Sequence, residues 1–282
     1  MNLSLLFTIL VAGLLQIFAN NPEHSIQKPT IVGSWELVKY VNHAGNETDW
    51  QSYESKILYQ KHITDNYFMW IKFDQENDQL LGMGGGDYTI DDKGQYVENI
   101  KFFYPPTSSE LGQSIPFDIT FKEGLWHHTG YAKVMTMNEE GRSEVTDSVK
   151  IQEQWKSISA SFNDRGLIGA WELQTYKDEN NEEFLEYPDF IVYRKLITDS
   201  HFVWIKYNAD GDEIFDAGSG PYSYDGKEYV ENIVFTYPKG VAARGSKAYF
   251  TPDLNEQKWI HKGTVEISDS SKIAIDEVWE PM

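Results

Sequence analysis

Short runs in which apolar and polar residues alternate dominate this chain. Tyr96, Glu98, Ile100, Phe102 and Tyr104 fall on one side of an extended segment, with Val97, Asn99 and Lys101 on the other. Tyr229, Glu231, Ile233, Phe235 and Tyr237 repeat the pattern. Successive side chains of a strand point to opposite faces, so this period of two predicts half-buried β-strands. Ile57 to Ile63, Phe68 to Phe73, Ile115 to Phe121, Trp126 to Met137 and Val145 to Trp155 read the same way. Turn chemistry separates the runs: Asp91-Asp92-Lys93-Gly94, Lys122-Glu123-Gly124, Glu139-Glu140-Gly141, Asp210-Gly211 and Asp225-Gly226. One interruption stands out. Trp50 and Tyr53, matched by Phe184 and Tyr187, have a three-residue spacing in a polar context and predict a short helix or structured loop. Such aromatics either line the mouth of a barrel or plug its end.

The pattern occurs twice. Gly33-Ser34-Trp35-Glu36-Leu37 returns as Gly169-Ala170-Trp171-Glu172-Leu173, and the segment from Lys61 to Lys72 returns from Lys195 to Lys206. Tyr96 to Ile100 matches Tyr229 to Ile233, Trp126 to Gly130 matches Trp259 to Gly263, and Ile151 to Trp155 matches Ile275 to Trp279. The order is kept, and of the nine Trp only Trp50 lacks a Trp partner in the other copy. Self-similarity of this kind marks tandem units of one design. The units are expected over 31–157 and 167–282, joined by a polar linker between Ser159 and Arg165. Roughly eight short strands per unit fit an antiparallel sandwich or barrel.

Residues 1–19 lack charged side chains and hold an apolar run from Leu3 to Phe18, ending at the small Ala19. This is expected to be a cleaved signal peptide, against the alternative of an uncleaved anchor, since the run is short for a membrane span and no Lys/Arg cluster follows it. The chain has no Cys, which excludes disulfides, thiolate catalysis, Cys-ligated metals and lipid attachment after the leader. Export without disulfides suits a periplasmic or extracellular setting of a bacterium. In a eukaryotic secretory route the Asn46-Glu47-Thr48 sequon would matter instead. The net charge of −20 argues against nucleic acid and against anionic membrane surfaces as partners.

With these elements in place the chain resembles the lipocalin-like domains of the calycin superfamily, especially those of exported bacterial proteins. The likeness rests on Gly33/Trp35/Leu37, Gly86/Tyr88, Tyr96/Glu98, Trp126/Gly130 and Glu153/Trp155 in the first unit. Gly169/Trp171/Leu173, Gly220/Tyr222, Tyr229/Glu231, Trp259/Gly263 and Glu277/Trp279 carry it in the second. The vertebrate-type Thr-Asp-Tyr element and disulfide are absent. The resemblance implies an all-β protein of two tandem antiparallel barrels, each a cup for a small apolar or amphipathic molecule and needing no cofactor.

Strand alternation then selects candidate ligand-binding residues: Trp70, Tyr96, Glu98, Trp126, His128 and Glu153, and Trp204, Tyr229, Glu231, Trp259, His261 and Glu277. Lys72 and Lys206 share a face with Trp70 and Trp204. An unpaired carboxylate among aromatic rings is costly, so Glu98 and Glu231 must be paired, hydrogen-bonded or protonated. Three readings of them stay open: a Glu–Lys or Glu–Tyr pair closing a filled barrel, contact with a ligand, or acid/base work with His128 or His261. Trp35 and Trp171 read as packing at the barrel floor. His127 and His128 are adjacent and face opposite sides of a strand, so they cannot chelate one metal. His43, His62, His127 and His201 lack His counterparts in the other unit, which argues against a shared metal site. No catalytic motif appears, and Gly82 to Gly86 reads as a turn or bulge rather than a phosphate loop.

Overall fold

The computed structural model describes residues 30–41, 49–106, 109–137, 143–159, 166–177, 183–238, 242, 244–255, 258–268 and 271–282. The predicted leader, the sequon, the turn at 139–141 and most of the predicted linker lie outside these residues. Strands β1 (Gly33–Tyr40), β2 (Gln51–Ser52), β3 (Ile57–Ile63), β4 (Tyr67–Asp74), β5 (Gln79–Ile90), β6 (Tyr96–Tyr104), β7 (Ser114–Lys122), β8 (Leu125–Met137) and β9 (Ser143–Ser157) form one antiparallel sheet. Each strand from β3 onward pairs with the next, and β1 pairs with both β3 and β9, which closes the sheet. The second sheet holds β10 (Gly169–Tyr176), β11 (Ile191–Ile197), β12 (His201–Asn208), β13 (Ile214–Tyr224), β14 (Tyr229–Asn232), β15 (Phe235–Tyr237), β16 (Lys247–Asn255), β17 (Lys258–Ser268) and β18 (Ser271–Pro281). It closes through β10–β18 and β12–β13, with β14 and β15 as two pieces of one interrupted strand. Two closed eight-stranded barrels result. The segment at Trp50–Tyr53 is not a helix: β2 adds two residues to the edge of β1, and Tyr53 follows it in a loop.

One expectation fails in an informative way. Tyr96, Glu98 and Ile100 point inward as predicted, but Phe102 and Tyr104 do not join them. Gly86 stands opposite Ile100 while Gly85 stands opposite Phe102, so β6 carries one extra residue. This bulge reverses the alternation, turning Phe103 into the barrel and Phe102 outward. The second copy breaks at the same place, where Tyr222 faces Glu231 but Ser219 faces Phe235. Only glycine fits at the kink: a Cβ on Gly86 would sit 1.9 Å from the Asn99 carbonyl oxygen, and one on Gly220 1.8 Å from that of Asn232.

The residues turned outward build the contact between the barrels. Odd-numbered residues of β4 (Tyr67, Met69, Ile71, Phe73) pack with Val203, Ile205 and Tyr207 of β12 in one buried cluster. Phe73 lies 5.1 Å from Phe235, and their counterparts Tyr207 and Phe102 lie 4.8 Å apart. Tyr104 meets its own counterpart Tyr237 at 5.4 Å, so the two copies are related by an approximate two-fold axis. Several polar groups bond across the seam. Arg194 donates to the hydroxyls of Tyr67 and Tyr207 and to Glu172, and the Ser34 hydroxyl lies 2.7 Å from that of Thr198. Phe103 N donates to Gly211 O at 3.0 Å.

Gly220→Ala is expected to cost about 1–3 kcal/mol through forced backbone movement. The extra Cβ also disturbs the strand that carries Glu231 and Phe235, so denaturant unfolding should report the loss as one transition of both barrels. A neutral effect would contradict the close approach.

Candidate functional site

Inside each barrel a charged pair sits among aromatic rings. In the first, β3 turns Tyr59, Lys61 and Ile63 inward by its parity, and β6 presents Glu98. Lys61 Nζ lies 2.6 Å from Glu98 Oε1, and both side chains are 4% exposed. The ammonium also lies 5.3–5.8 Å from the ring centres of Phe68, Phe117, Trp126 and Trp155, a range in which a desolvated cation is attracted to ring faces. The second barrel repeats this with Lys195 and Glu231 at 2.8 Å, with Phe202, Phe250, Trp259 and Trp279 around the cation. Tyr229 donates to the same carboxylate at 3.0 Å. The Glu–Lys and Glu–Tyr pairings expected of a closed barrel are thus both present.

A second polar group faces the same space. His128 from β8 stacks on Phe117 at 3.7 Å, and His261 stacks on Phe250 at 3.6 Å. Gly130 and Gly263 make room for these phenyl rings, because a Cβ on either would lie within 2.7 Å of them. His128 Nδ1 is 3.1 Å from Glu153 Oε2, which also accepts Trp155 Nε1–H at 3.1 Å. His261, Glu277 and Trp279 repeat the arrangement at 3.0 and 3.0 Å. The histidines therefore bond Glu153 and Glu277. Glu98 lies 3.9 Å from His128 Nε2, beyond hydrogen-bond length, so the two groups of the acid/base reading are near each other but not directly bonded.

The electrostatics follow from burial. Desolvation holds both imidazoles well below their ordinary pKa, aided by Lys61 and Lys195, so they are neutral. It also raises Glu153 and Glu277, with the lysines opposing. With Glu153 and Glu277 as carboxylates, each histidine donates from Nδ1 and carries its lone pair on Nε2. That Nε2 is buried without a hydrogen-bond partner in both barrels. Two further acids are raised to about 7 by desolvation: Glu110 in the first barrel and Asp216 in the second.

A cavity remains above this network. In the first barrel it measures about 200 Å³ and is walled by Tyr59, Lys61, Trp70, Glu98, His128 and Glu153, among others. In the second it measures about 230 Å³, with Tyr193, Lys195, Trp204, Glu231, His261 and Glu277 at the corresponding places. Toward the open end Lys72 lies over Tyr53 and Tyr59, and Lys206 over Tyr187 and Tyr193. The other end is sealed. Trp35 packs 5.3 Å from Trp126 and bonds Ile31 O, and Trp171 packs 5.4 Å from Trp259 and bonds Leu167 O.

Of the residues selected from sequence, Trp70, Glu98, His128 and Glu153, with Trp204, Glu231, His261 and Glu277, line the cavities. Tyr96, Trp126, Tyr229 and Trp259 point inward but lie deeper, fully buried against the histidines. Trp50 is on the outer surface beside His127, whereas Tyr53 and Tyr187 stand at the mouths. Sequence reasoning missed Lys61 and Lys195, although both head the longest repeated segment and share parity with Tyr59 and Tyr193. It also missed Glu110 and Asp216. These have no acidic counterpart: Lys206 faces Asp216 across the sheet, while Lys72 faces Gly82.

No protein-family model and no curated protein matches the chain. Among solved structures it is similar to a protein of unknown function from the DUF3598 family of Nostoc punctiforme PCC 73102. The identity is 8% and the TM-score 0.22, over 89% of this chain and 96% of that one. What the fold and the site define is a tandem of closed eight-stranded antiparallel β-barrels with a duplicated buried polar network.

Lys195→Met is expected to cost about 3–5 kcal/mol in denaturant unfolding, because it strands a buried carboxylate. Lys195→Met with Glu231→Leu should recover most of that loss, and equal destabilisation by both variants would refute the pairing. A second expectation concerns pH. Asp216 ionises at about 7 in the folded chain against 3.8 ordinarily, so its contribution to stability is present below about pH 4 and lost as pH rises to 7. Asp216→Asn should therefore gain stability relative to the parent between pH 4 and pH 8. A difference that stays flat or falls in thermal melts would contradict this.

Proposed function

We propose that this is an exported lipocalin-like carrier whose two barrels each bind a small amphipathic molecule. One observation carries the reading: His128 and His261 line an internal cavity at the same place in both copies, and the Nε2 of each is buried without a hydrogen-bond partner. A buried polar atom left unpaired is disfavoured by about 1–3 kcal/mol, and an occupant with a matching group relieves it. The surroundings suit the other half of such a molecule, since Trp70, Tyr59 and Phe117 in one barrel and Trp204, Tyr193 and Phe250 in the other supply aromatic walls. Pockets of this make-up, mostly apolar with a few convergent polar groups, orient their ligands by those groups. A cavity of about 150 Å³ is enough for benzene, so 200–230 Å³ suits a single ring with a short polar arm. The apolar leader and the lack of Cys support export to the periplasm or beyond.

The filled-barrel reading is favoured by a different observation. Trp126, Trp155, Trp259 and Trp279 are wholly buried, and each Lys–Glu pair already neutralises itself. One experiment separates the two. Trp70 and Trp204 lie on the cavity walls, so a panel of one-ring amphipathic compounds should include members that change the intrinsic fluorescence saturably and raise the melting temperature. A panel that does neither supports a structural or protein-interaction module and removes the carrier reading.

A further inference from the structure

The two cavities differ in how far they run. In the first barrel a row of rings crosses the interior. Tyr53 lies 5.6 Å from both Tyr40 and Tyr59, Tyr59 lies 5.7 Å from Trp70, and Trp70 lies 5.3 Å from Phe103. The row divides the space: Tyr59 and Glu153 wall both the inner cavity and a separate one bordered by Tyr53 and Lys72. In the second barrel the row is open. Tyr187 stacks on Tyr176 at 4.5 Å and stands 6.1 Å from Tyr193, which lies 6.2 Å from Trp204. Tyr187 and Lys206 accordingly border the same cavity as Glu231 and His261.

The final ring of the row is missing from the second copy. Phe103 and Trp70 stand on either side of Gly84, and Thr236 and Trp204 stand on either side of Gly218. Cross-strand neighbours share a face, so Thr236 takes the place of Phe103. Its hydroxyl donates to Ala242 O at 3.2 Å, where the first barrel packs a phenyl ring on the indole. Ala242 borders the second cavity, whereas the corresponding segment of the first barrel brings the carboxyl of Glu110 to its wall. Ile233, Val265, Ile273 and Ile275 continue the apolar wall of the second cavity. In the first copy the paired residues Ala132 and Val149 stand where the second pairs Val265 with Ile273, and Val149 is 48% exposed. Lysine, tyrosine and imidazole groups give both cavities donors and acceptors, so the charge of a ligand's head does not distinguish them. The length of the apolar path does. A hydrocarbon tail has continuous apolar surface to follow in the second barrel, and in the first it meets a ring and a carboxyl group that its arrival would desolvate.

We infer that the two barrels take ligands of different length: the second accepts a ring with an apolar tail that the first excludes, and Phe103 and Glu110 against Thr236 and Ala242 set the difference. This rests on the carrier reading above and divides its ligands between the copies. Isothermal titration of the full chain with two neutral probes, 4-ethylphenol and 4-pentylphenol, tests it. The shorter probe should bind at both barrels. The longer should bind at the second alone, at least about tenfold more tightly than the shorter, because its additional methylenes are buried there. Thr236→Phe should weaken 4-pentylphenol at least about tenfold, while the first barrel still binds 4-ethylphenol and so reports a folded chain. Phe103→Thr with Glu110→Ala should create a further 4-pentylphenol site, a gain that misfolding cannot produce. A different number of sites for either probe, a 4-pentylphenol site indifferent to Thr236→Phe, or no new site in the Phe103→Thr/Glu110→Ala chain overturns the assignment of length and leaves the carrier reading standing. No binding of these probes or of any one-ring amphipathic compound removes both together.

Discussion

The structure depends on a charged pair placed where charge is most expensive. Lys61 with Glu98, and Lys195 with Glu231, lie among aromatic rings in the barrel interiors, and neither member is tolerable without the other. Their distance is set by strand register: β3 and β6 must meet the same interior at the same height, and so must β11 and β14. The pair therefore specifies how the sheet closes as well as contributing to its stability. Around it the remaining polar groups find defined places, the imidazole on a phenyl face and the second glutamate on an indole N–H. What is left over, a void of about 200–230 Å³ walled by the imidazole and the glutamates among others, is the part of the interior that packing does not consume.

Much of this architecture is legible in the amino-acid sequence, because a duplicated pattern is read twice. Alternation locates the strands, the paired Trp positions fix which units correspond, and Glu153 and Trp155 already align on one face of β9. The twelve inward residues follow from parity alone. Parity fails where a residue is inserted: nothing in the alternation of Tyr96 to Tyr104 announces that Lys101 is extra, and the only local signal is Gly86 on the neighbouring strand. Lys61 is hidden in the sequence for a different reason. A lysine in a strand is ordinarily solvated, and its burial here is decided by Glu98, which is distant in sequence. Glu110 and Asp216 differ between copies, so a search for shared residues passes over them.

The barrels also show how the same backbone accommodates different interiors. The first places a third acid on the segment between β6 and β7, where the second has the small Ala242 on its cavity wall. The second places it on β13, opposite Lys206, where the first has Gly82. The deep Lys–Glu and His–Glu–Trp contacts recur in both copies, although Tyr229 bonds Glu231 while the Tyr96 hydroxyl has no hydrogen-bond partner, whereas the groups nearer the opening have moved. On the carrier proposal selectivity falls to these outer groups, while the inner ones are constrained by closure.

The way the copies meet has a consequence for what a single copy would be. Phe73 with Phe235 and Tyr207 with Phe102 are equivalent contacts, so the seam is isologous: each unit presents a patch that complements its own duplicate. Cut from its neighbour, either half would expose Met69, Ile71 and Phe73, or Val203, Ile205 and Tyr207, and would be drawn into homodimers. Joining two such units in one polypeptide makes that association independent of concentration and frees the partners from being the same. The shift of an acid from the 110 position to the 216 position is a change that a symmetric dimer of identical chains could not make on one side only.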